Sequence, residues 1–152
     1  MRTVLPCKVK IKSRIENLDS AGLPEGDIER SESFAEGFYH YDSDGDILIT
    51  YAEESEGSRV ESEIVLQDGS VTVKRSGATE SEFVFSEGRL HRSLYRVPPY
   101  AFDAEIMPKR VRVTLGECGG GIDLFYSMKI GGADKAVRMT IDLKTKTVGE
   151  SL

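Results

Sequence analysis

Cysteine is scarce in this chain, and no segment is apolar for long. Among the 152 residues only Cys7 and Cys118 are cysteines, and they lie far apart along the sequence. Disulfide frameworks and zinc sites need several cysteines at short spacings, so the sequence predicts neither. No segment reaches the roughly 18 uninterrupted apolar residues of a transmembrane helix, and no apolar signal-peptide segment is present near the start. We therefore expect a soluble, cytoplasmic protein with reduced thiols and no membrane contact.

Positive charge is in the minority. Lysine and arginine together number 20 against 26 for aspartate and glutamate, which gives a net charge of −6. Proteins that bind nucleic acids take much of their affinity from basic side chains that neutralise phosphates, so we expect no nucleic-acid partner. An ordinary globular composition, 39% hydrophobic and 30% charged, indicates a single domain over residues 1–152.

Helical periodicity is missing as well. Nearly every segment instead alternates apolar and polar residues, most clearly over residues 122–130 and 137–143, and this period of two is typical of half-buried strands. Turn signals such as Asp44-Gly45 and Asp68-Gly69 separate the runs. We predict an all-β, antiparallel up-and-down barrel of about eight to ten strands, because closure removes exposed strand edges. Two packed sheets would satisfy the same pattern.

Five short motifs follow one another along the chain. They are Gly37-Phe38-Tyr39, Ile49-Thr50-Tyr51-Ala52-Glu53-Glu54, Arg75-Ser76-Gly77-Ala78, Leu124-Phe125-Tyr126 and Met139-Thr140-Ile141. In this order and spacing the chain resembles the YwiB-like family of uncharacterised bacterial proteins, from about Val9 to Leu143. The resemblance implies a calycin-like (lipocalin-like) barrel and no established activity. The chain departs from the family where Ala101, rather than a glycine, follows Tyr100.

Several polar residues share a face with the apolar rows. Arg75 shares its face with Val71 and Val73. Tyr51 and Glu53 share a face with Ile47 and Ile49, and Tyr126 lies in the middle of the row from residue 122 to 130. A charge on an apolar face is costly unless it is paired, so we expect Arg75 to meet an inward carboxylate, first Glu53 and second Glu36. Such a pair could close one end of the barrel, or Arg75 could hold the carboxylate or phosphate of a ligand.

The seventh predicted strand places His91, Ser93 and Tyr95 on one face. Successive residues on one face of a strand lie roughly 7 Å apart, too far for the close hydrogen bonds of a catalytic pair. No third residue is in place to orient His91, so no catalytic residue is assigned. We keep His91 and Tyr95 as candidates at the rim of the barrel.

No metal or cofactor site is predicted. Asp42, Asp44, Asp46 and Glu53 imitate the ligand spacing of a calcium loop, but Ile47 occupies the sixth position, where such a loop requires glycine. A hairpin turn accounts better for these aspartates.

Aromatic residues leave two further questions open. Tyr39 and Tyr41 are expected to face outward, either as the interface of a homodimer or as a cross-strand packing pair. Bulky side chains could also fill the barrel completely. They are Phe34, Phe38, Phe83, Phe85 and Met128.

Three functions remain open. The first is a binding module that holds a small apolar or amphipathic ligand with an anionic end in the lumen or mouth of the barrel. The second is an enzyme that decarboxylates small aromatic acids with inward tyrosines, an arginine and a glutamate, which is an analogy at the level of the fold. The third is a structural or protein-interaction barrel without a ligand.

Overall fold

The structure, a computed structural model, describes residues 3–116 and 118–145, and these residues form ten β-strands. None of the described residues belongs to a helix long and apolar enough to cross a membrane. In chain order the strands are β1 (Thr3–Leu18), β2 (Glu29–Tyr41), β3 (Ile47–Ser55), β4 (Ser58–Gln67), β5 (Ser70–Gly77), β6 (Ser81–Phe85), β7 (His91–Val97), β8 (Tyr100–Gly116), β9 (Gly119–Ile130) and β10 (Ala133–Thr145).

The strands form one antiparallel sheet in which neighbours in space are mostly neighbours in the chain. The order across the sheet is β6-β5-β4-β3-β2-β1-β10-β9-β8-β7. Within this order, the pairing of β1 with β10 is the one that joins strands far apart in the sequence. The sheet curls into a nearly closed barrel, and the prediction of an all-β, up-and-down architecture is confirmed.

The two end strands of this order, β6 and β7, meet at a short seam. The N–H of Glu80 donates to the carbonyl of Arg96, and the N–H of Arg96 donates to the carbonyl of Glu80, both at 2.8 Å. His91 Nε2 lies 3.0 Å from a carbonyl oxygen of β6, and the rings of Phe83 and Tyr95 stack with centroids 6.2 Å apart. One backbone pair, one side-chain contact and one ring stack therefore close the barrel here.

Alternation places one face of each strand inside the barrel. Branched side chains that favour the pleated strand surface make up much of this inner face, and Ile49, Ile64, Ile106 and Leu124 are fully buried there. Phe83 and Phe85 also lie inside, with 6% and 2% of their surface exposed. The inner faces of all ten strands therefore share one core.

The prediction that Tyr39 and Tyr41 face outward is wrong. Tyr39 is 1% exposed, and its hydroxyl donates to the carbonyl of Gly116 at 3.1 Å. The ring of Tyr41 lies 5.8 Å from that of Tyr39 and packs against the core. Pairing with β1 sets Gly37 opposite Cys7, a buried residue, and this register turns the odd-numbered residues of β2 inward.

The same register corrects the expectation for two phenylalanines. Phe34 and Phe38 occupy even-numbered positions of β2 and lie on the outer face, 70% and 51% exposed. They contribute nothing to filling the interior. The ring of Phe34 instead lies under the Nζ atom of Lys10, 5.6 Å from it, on the outer surface.

Strand β8 begins earlier than the alternation of residues 111–115 indicates. It starts at Tyr100, directly after the Pro-rich turn, and its first half buries Ala104, Ile106 and Pro108. The register against β9 shifts between Pro108 and Arg110, where one extra residue makes a bulge. Proline lacks the N–H that a regular ladder needs, which explains why the bulge falls there.

The segment with calcium-loop spacing is a hairpin turn between β2 and β3. The side-chain oxygen Oδ1 of Asp42 accepts hydrogen bonds from the N–H groups of Asp44 and Asp46, at 2.9 and 3.2 Å. An aspartate that bonds the backbone two residues further on is typical of turns. The aspartates therefore stabilise the hairpin, as the sequence predicts.

Gly37 marks the point where β2 and β3 come together. The two strands pair only from Gly37 to Tyr41, and residues 29–36 of β2 pair with β1 alone. A Cβ atom at Gly37 would collide with the carbonyl oxygen of Thr50 and lie 2.9 Å from the Cβ atom of Tyr51. Glycine is therefore required for this close approach.

We expect Gly37→Ala to lower the free energy of unfolding by about 2 kcal/mol, because the added methyl group forces two backbones apart. Urea denaturation followed by circular dichroism measures the loss. Gly116→Ala is the control, because a Cβ atom there meets nothing within 4 Å. Equal stability of the two variants would contradict the close approach.

Candidate functional site

Four polar residues form a row across the inner face. Tyr51 on β3 pairs directly with Ser62 on β4, Ser62 with Arg75 on β5, and Arg75 with Ser81 on β6. Directly opposed residues have Cβ atoms about 5 Å apart, so each side chain can contact the next. Tyr51, Ser62 and Ser81 are 5%, 1% and 7% exposed, whereas Arg75 is half-buried. The row therefore belongs to the interior and reaches solvent only at Arg75.

Tyr126 approaches the same arginine from the opposite wall. It is 4% exposed on β9, and its ring packs edge-on against that of Phe85 with centroids 4.8 Å apart. Burial raises the pKa of both Tyr126 and Tyr51, and the positive charge of Arg75 partly opposes the rise in each. The guanidinium thus acts electrostatically on phenols from two strands of the barrel.

Burial raises the pKa of these two phenols above the ordinary tyrosine value of about 10. Removal from water raises the pKa of Tyr126 to about 12, and the charge of Arg75 only partly opposes this rise. Burial also raises the pKa of Tyr51; the charge of Arg75 and the neighbouring Ser62 hydroxyl oppose the rise, and the nearby Glu53 carboxylate adds to it. Both phenols therefore keep their protons at neutral pH and can donate hydrogen bonds.

The expected ion pair of Arg75 is not formed. Among the residues that the structure describes, no carboxylate oxygen lies within 4.0 Å of its guanidinium. Glu53 is half-buried on the inner face and acts on Tyr51, whereas Glu36 is exposed on the outer face opposite Lys8. The sequence predicted the face on which Arg75 lies. It did not predict the neighbours of Arg75, because these depend on the registers of four strands.

The two serines beside Arg75 are the site residues that the sequence reasoning missed. The hydroxyls of Ser62 and Ser81 are buried, and neither makes a hydrogen bond of normal geometry with a described residue. A buried hydroxyl without a partner lowers the stability of the folded protein, so each such hydroxyl needs a structural or functional explanation. The available signal was a serine at an inward position of an otherwise apolar row, as in Val60, Ser62 and Ile64.

His91 and Tyr95 lie at the seam and not beside Arg75 in the row. His91 contacts a backbone carbonyl of β6, and Tyr95 stacks on Phe83. Both contacts hold β7 against β6. Elsewhere in the described part of the chain, no group of three or more His, Cys, Asp or Glu residues could hold a metal ion. The arrangement that remains is a cation flanked by four hydroxyl groups, which suits the binding of an anion.

We expect Arg75→Met to fold with a melting temperature within a few degrees of the parent, because no buried carboxylate loses its partner. Removing one member of a buried ion pair would instead cost about 3–5 kcal/mol. In a pH titration followed by absorbance near 295 nm, the tyrosines with the highest pKa should ionise at higher pH in Arg75→Met than in the parent. The reason is that burial raises the pKa of Tyr51 and Tyr126 and the charge of Arg75, which partly opposes this rise, is lost in the variant. Lys74→Met, on the exposed face of the same strand, is the control.

We expect Tyr126→Phe to reduce the loss of stability at alkaline pH. An unfolded tyrosine has a pKa of about 10, and the folded value of Tyr126 is about 12. The folded state holds the proton more tightly, so the contribution of Tyr126 is full below pH 10 and is lost as pH rises towards 12. Between pH 9 and 11 the parent should lose about 1 kcal/mol more than the variant in urea unfolding. Tyr100→Phe, at a 66% exposed position, should behave like the parent.

Comparison with known proteins places this barrel among others of the same kind. The family model described as a domain of unknown function, DUF1934, matches residues 9–143. The uncharacterized beta-barrel protein YwiB of Bacillus subtilis (strain 168) is 27% identical over 131 residues, which cover 86% of this chain and 87% of that protein.

The fold agrees with a solved structure as well. The crystal structure of the ywiB protein from Bacillus subtilis aligns with a TM-score of 0.80 at 26% sequence identity, covering 95% of this chain and 94% of that one. The resemblance to the YwiB-like family is thereby confirmed. The chain belongs to the family described as a domain of unknown function, DUF1934.

Proposed function

We propose that this protein binds a small amphipathic molecule inside the barrel, with a carboxylate or phosphate group of that molecule held at Arg75. The observation that carries the proposal is a half-buried guanidinium with hydroxyl neighbours and no acidic partner within 4.0 Å among the described residues. A cation in such surroundings is costly to the folded protein unless an anion compensates it.

The groups around Arg75 match the needs of a small anion. A guanidinium binds a carboxylate or phosphate through two parallel hydrogen bonds. Ser62 and Ser81 flank the arginine on either side, and their unpartnered hydroxyls can donate to the same anion. The protonated phenols of Tyr51 and Tyr126 supply two further donors.

The side chains next to Arg75 are apolar and match the apolar part of such a molecule. Next to Arg75 on the inner faces of β5 and β6 lie Val73 and Phe83, both buried. The start of β8, at the end of the barrel where β5 also ends, carries Tyr100 and Phe102, which are 66% and 40% exposed. An apolar rim beside a half-buried cation is the arrangement that an amphipathic anion would enter.

An enzyme that decarboxylates small aromatic acids is the second candidate. It is favoured by two phenols that keep their protons and by Glu53 close to one of them. Such groups can deliver a proton to a reacting carbon. Release of carbon dioxide from an aromatic acid, lost in Tyr126→Phe, would favour this candidate over simple binding.

Titration with octanoate tests the binding proposal, with affinity measured by calorimetry. We expect octanoate to bind the parent and Lys74→Met alike, and to bind Arg75→Met about tenfold more weakly, because the charged hydrogen bonds are lost. Octanol, which lacks the charge, should not distinguish the three proteins. Ser62→Ala should give an intermediate loss.

The octanoate titration can contradict the binding proposal as well as support it. Equal octanoate affinity in the parent and Arg75→Met, or no binding at all, would leave the filled structural barrel as the better account. Native mass spectrometry of the purified parent adds an independent measurement, since a retained small anion that is absent from Arg75→Met supports the proposal.

A further inference from the structure

Three arginines lie in one line on the outer surface of the barrel. Arg14 on β1 is the direct cross-strand partner of Arg30 on β2 and of Arg138 on β10. All three are exposed and belong to the outward-facing positions of their strands. Adjacent strands are about 4.8 Å apart, so the three side chains leave the sheet side by side. We call Arg30, Arg14 and Arg138 the arginine row.

The row continues onto the next two strands. Arg138 pairs with Phe125 on β9, and its Cζ atom lies 5.4 Å from the centre of the Phe125 ring. Phe125 in turn pairs with Arg110 on β8. An aromatic face therefore stands between cations in the same line.

This arrangement is unfavourable for folding by itself. Like charges directly opposite one another destabilise a sheet, and here the repulsion acts on both sides of Arg14. One ion pair relieves it, from Arg14 to Glu16 at 3.0 Å, whereas Arg30 forms no ion pair with any described residue. In a chain of net charge −6, three adjacent arginines are a local concentration of the minority charge.

A groove runs over the arginine row. Its volume is about 390 Å³, and besides the three arginines its walls include Lys12, Thr140 and Glu32. The carboxylate of Glu32 lies 3.5 Å from Lys10 Nζ, so a second cation shares its charge. A smaller depression of about 150 Å³ adjoins the groove and is lined by Phe125 together with Arg14 and Arg138.

We propose that the arginine row binds a chain of two or three phosphates. A single phosphate or carboxylate can engage one or two guanidinium groups, whereas a di- or triphosphate extends across all three and relieves their mutual repulsion. Lys12 adds a fourth cation to the groove and Thr140 adds a hydroxyl donor. This inference does not depend on the interior site at Arg75.

Phe125 distinguishes two sources of the phosphate chain. The chain could be an inorganic polyphosphate, which uses the cations alone. It could also belong to a nucleotide, whose base would stack on the aromatic ring in the adjoining depression while its phosphates lie over the arginines. The phosphate chemistry is the same in both cases.

The test is a calorimetric titration of the folded protein with inorganic triphosphate, ATP and single phosphate at matched ionic strength. We expect triphosphate to bind at least tenfold more tightly than phosphate. Arg30→Gln and Arg138→Gln should each weaken triphosphate binding about tenfold, since each removes charged hydrogen bonds. Arg89→Gln, an exposed arginine in the β6–β7 loop, makes the same change of charge elsewhere and should have no effect.

Two controls, the stability of Arg30→Gln and the triphosphate affinity of Arg75→Met, show whether an effect on binding is specific to the arginine row. Without ligand, Arg30→Gln should be as stable as the parent or more stable, because it relieves repulsion, so weaker binding cannot be ascribed to unfolding. Arg75→Met should bind triphosphate like the parent. Equal affinity for triphosphate and phosphate, or equal effects of Arg89→Gln and Arg30→Gln, would overturn the proposal.

The variant Phe125→Leu tests whether the phosphate chain belongs to a nucleotide. If ATP binds more tightly than triphosphate and this advantage disappears in Phe125→Leu, the row takes the phosphates of a nucleotide. If ATP and triphosphate bind equally to both proteins, the row takes an inorganic chain. Both results uphold a polyphosphate site, and failure of triphosphate to bind rejects it.

Discussion

Closure of the sheet between β6 and β7 is the constraint on which the interior depends. Without the Glu80–Arg96 hydrogen bonds, the His91 contact and the stacked ring of Tyr95, the sheet would end in two free edges and its apolar face would be open to water. With the seam closed, the rows of isoleucine, leucine and phenylalanine from ten strands face one another. The raised pKa values of Tyr51 and Tyr126 follow from that enclosure, because burial is their largest cause.

Arginine side chains carry unbalanced charge on both the inner and the outer face of the sheet. Inside, Arg75 lies among hydroxyl groups with no carboxylate of a described residue within 4.0 Å, and its partial burial makes the unpaired charge costly. Outside, Arg30, Arg14 and Arg138 are solvated, and the cost comes from one another. In both places the folded chain tolerates an unbalanced positive charge. Both places are therefore candidate sites for binding an anion, although the chain as a whole is acidic.

The sequence was sufficient where alternation is regular and long. It predicted the all-β barrel and placed Arg75, Tyr51 and Tyr126 on inward faces, because each belongs to a run with uninterrupted period two. It failed for β2, where small residues alternate with the exposed Phe34 and Phe38. Only the pairing with β1 shows which face of β2 is inward.

Partners across the barrel could not be predicted for a related reason. A carboxylate such as Glu53 is on the correct face, but its distance from Arg75 depends on the registers of β3, β4 and β5 together. The first half of β8 was missed because Pro108 and the bulge after it interrupt the pattern. The likeness to calycins specifically, as opposed to a barrel in general, stays a prediction.

The pairing of β1 with β10 also governs the order of events during synthesis. Every other neighbour of a strand leaves the ribosome soon after it, whereas β1 must wait for the tenth strand before its second edge is covered. Throughout that interval β1 is an edge strand, open to pairing with other nascent chains. Lys8, Lys10 and Lys12 project from it at alternate positions, and such lysines deter intermolecular strand pairing. We therefore expect the lysines of β1 to lower the tendency of the unfinished chain to aggregate.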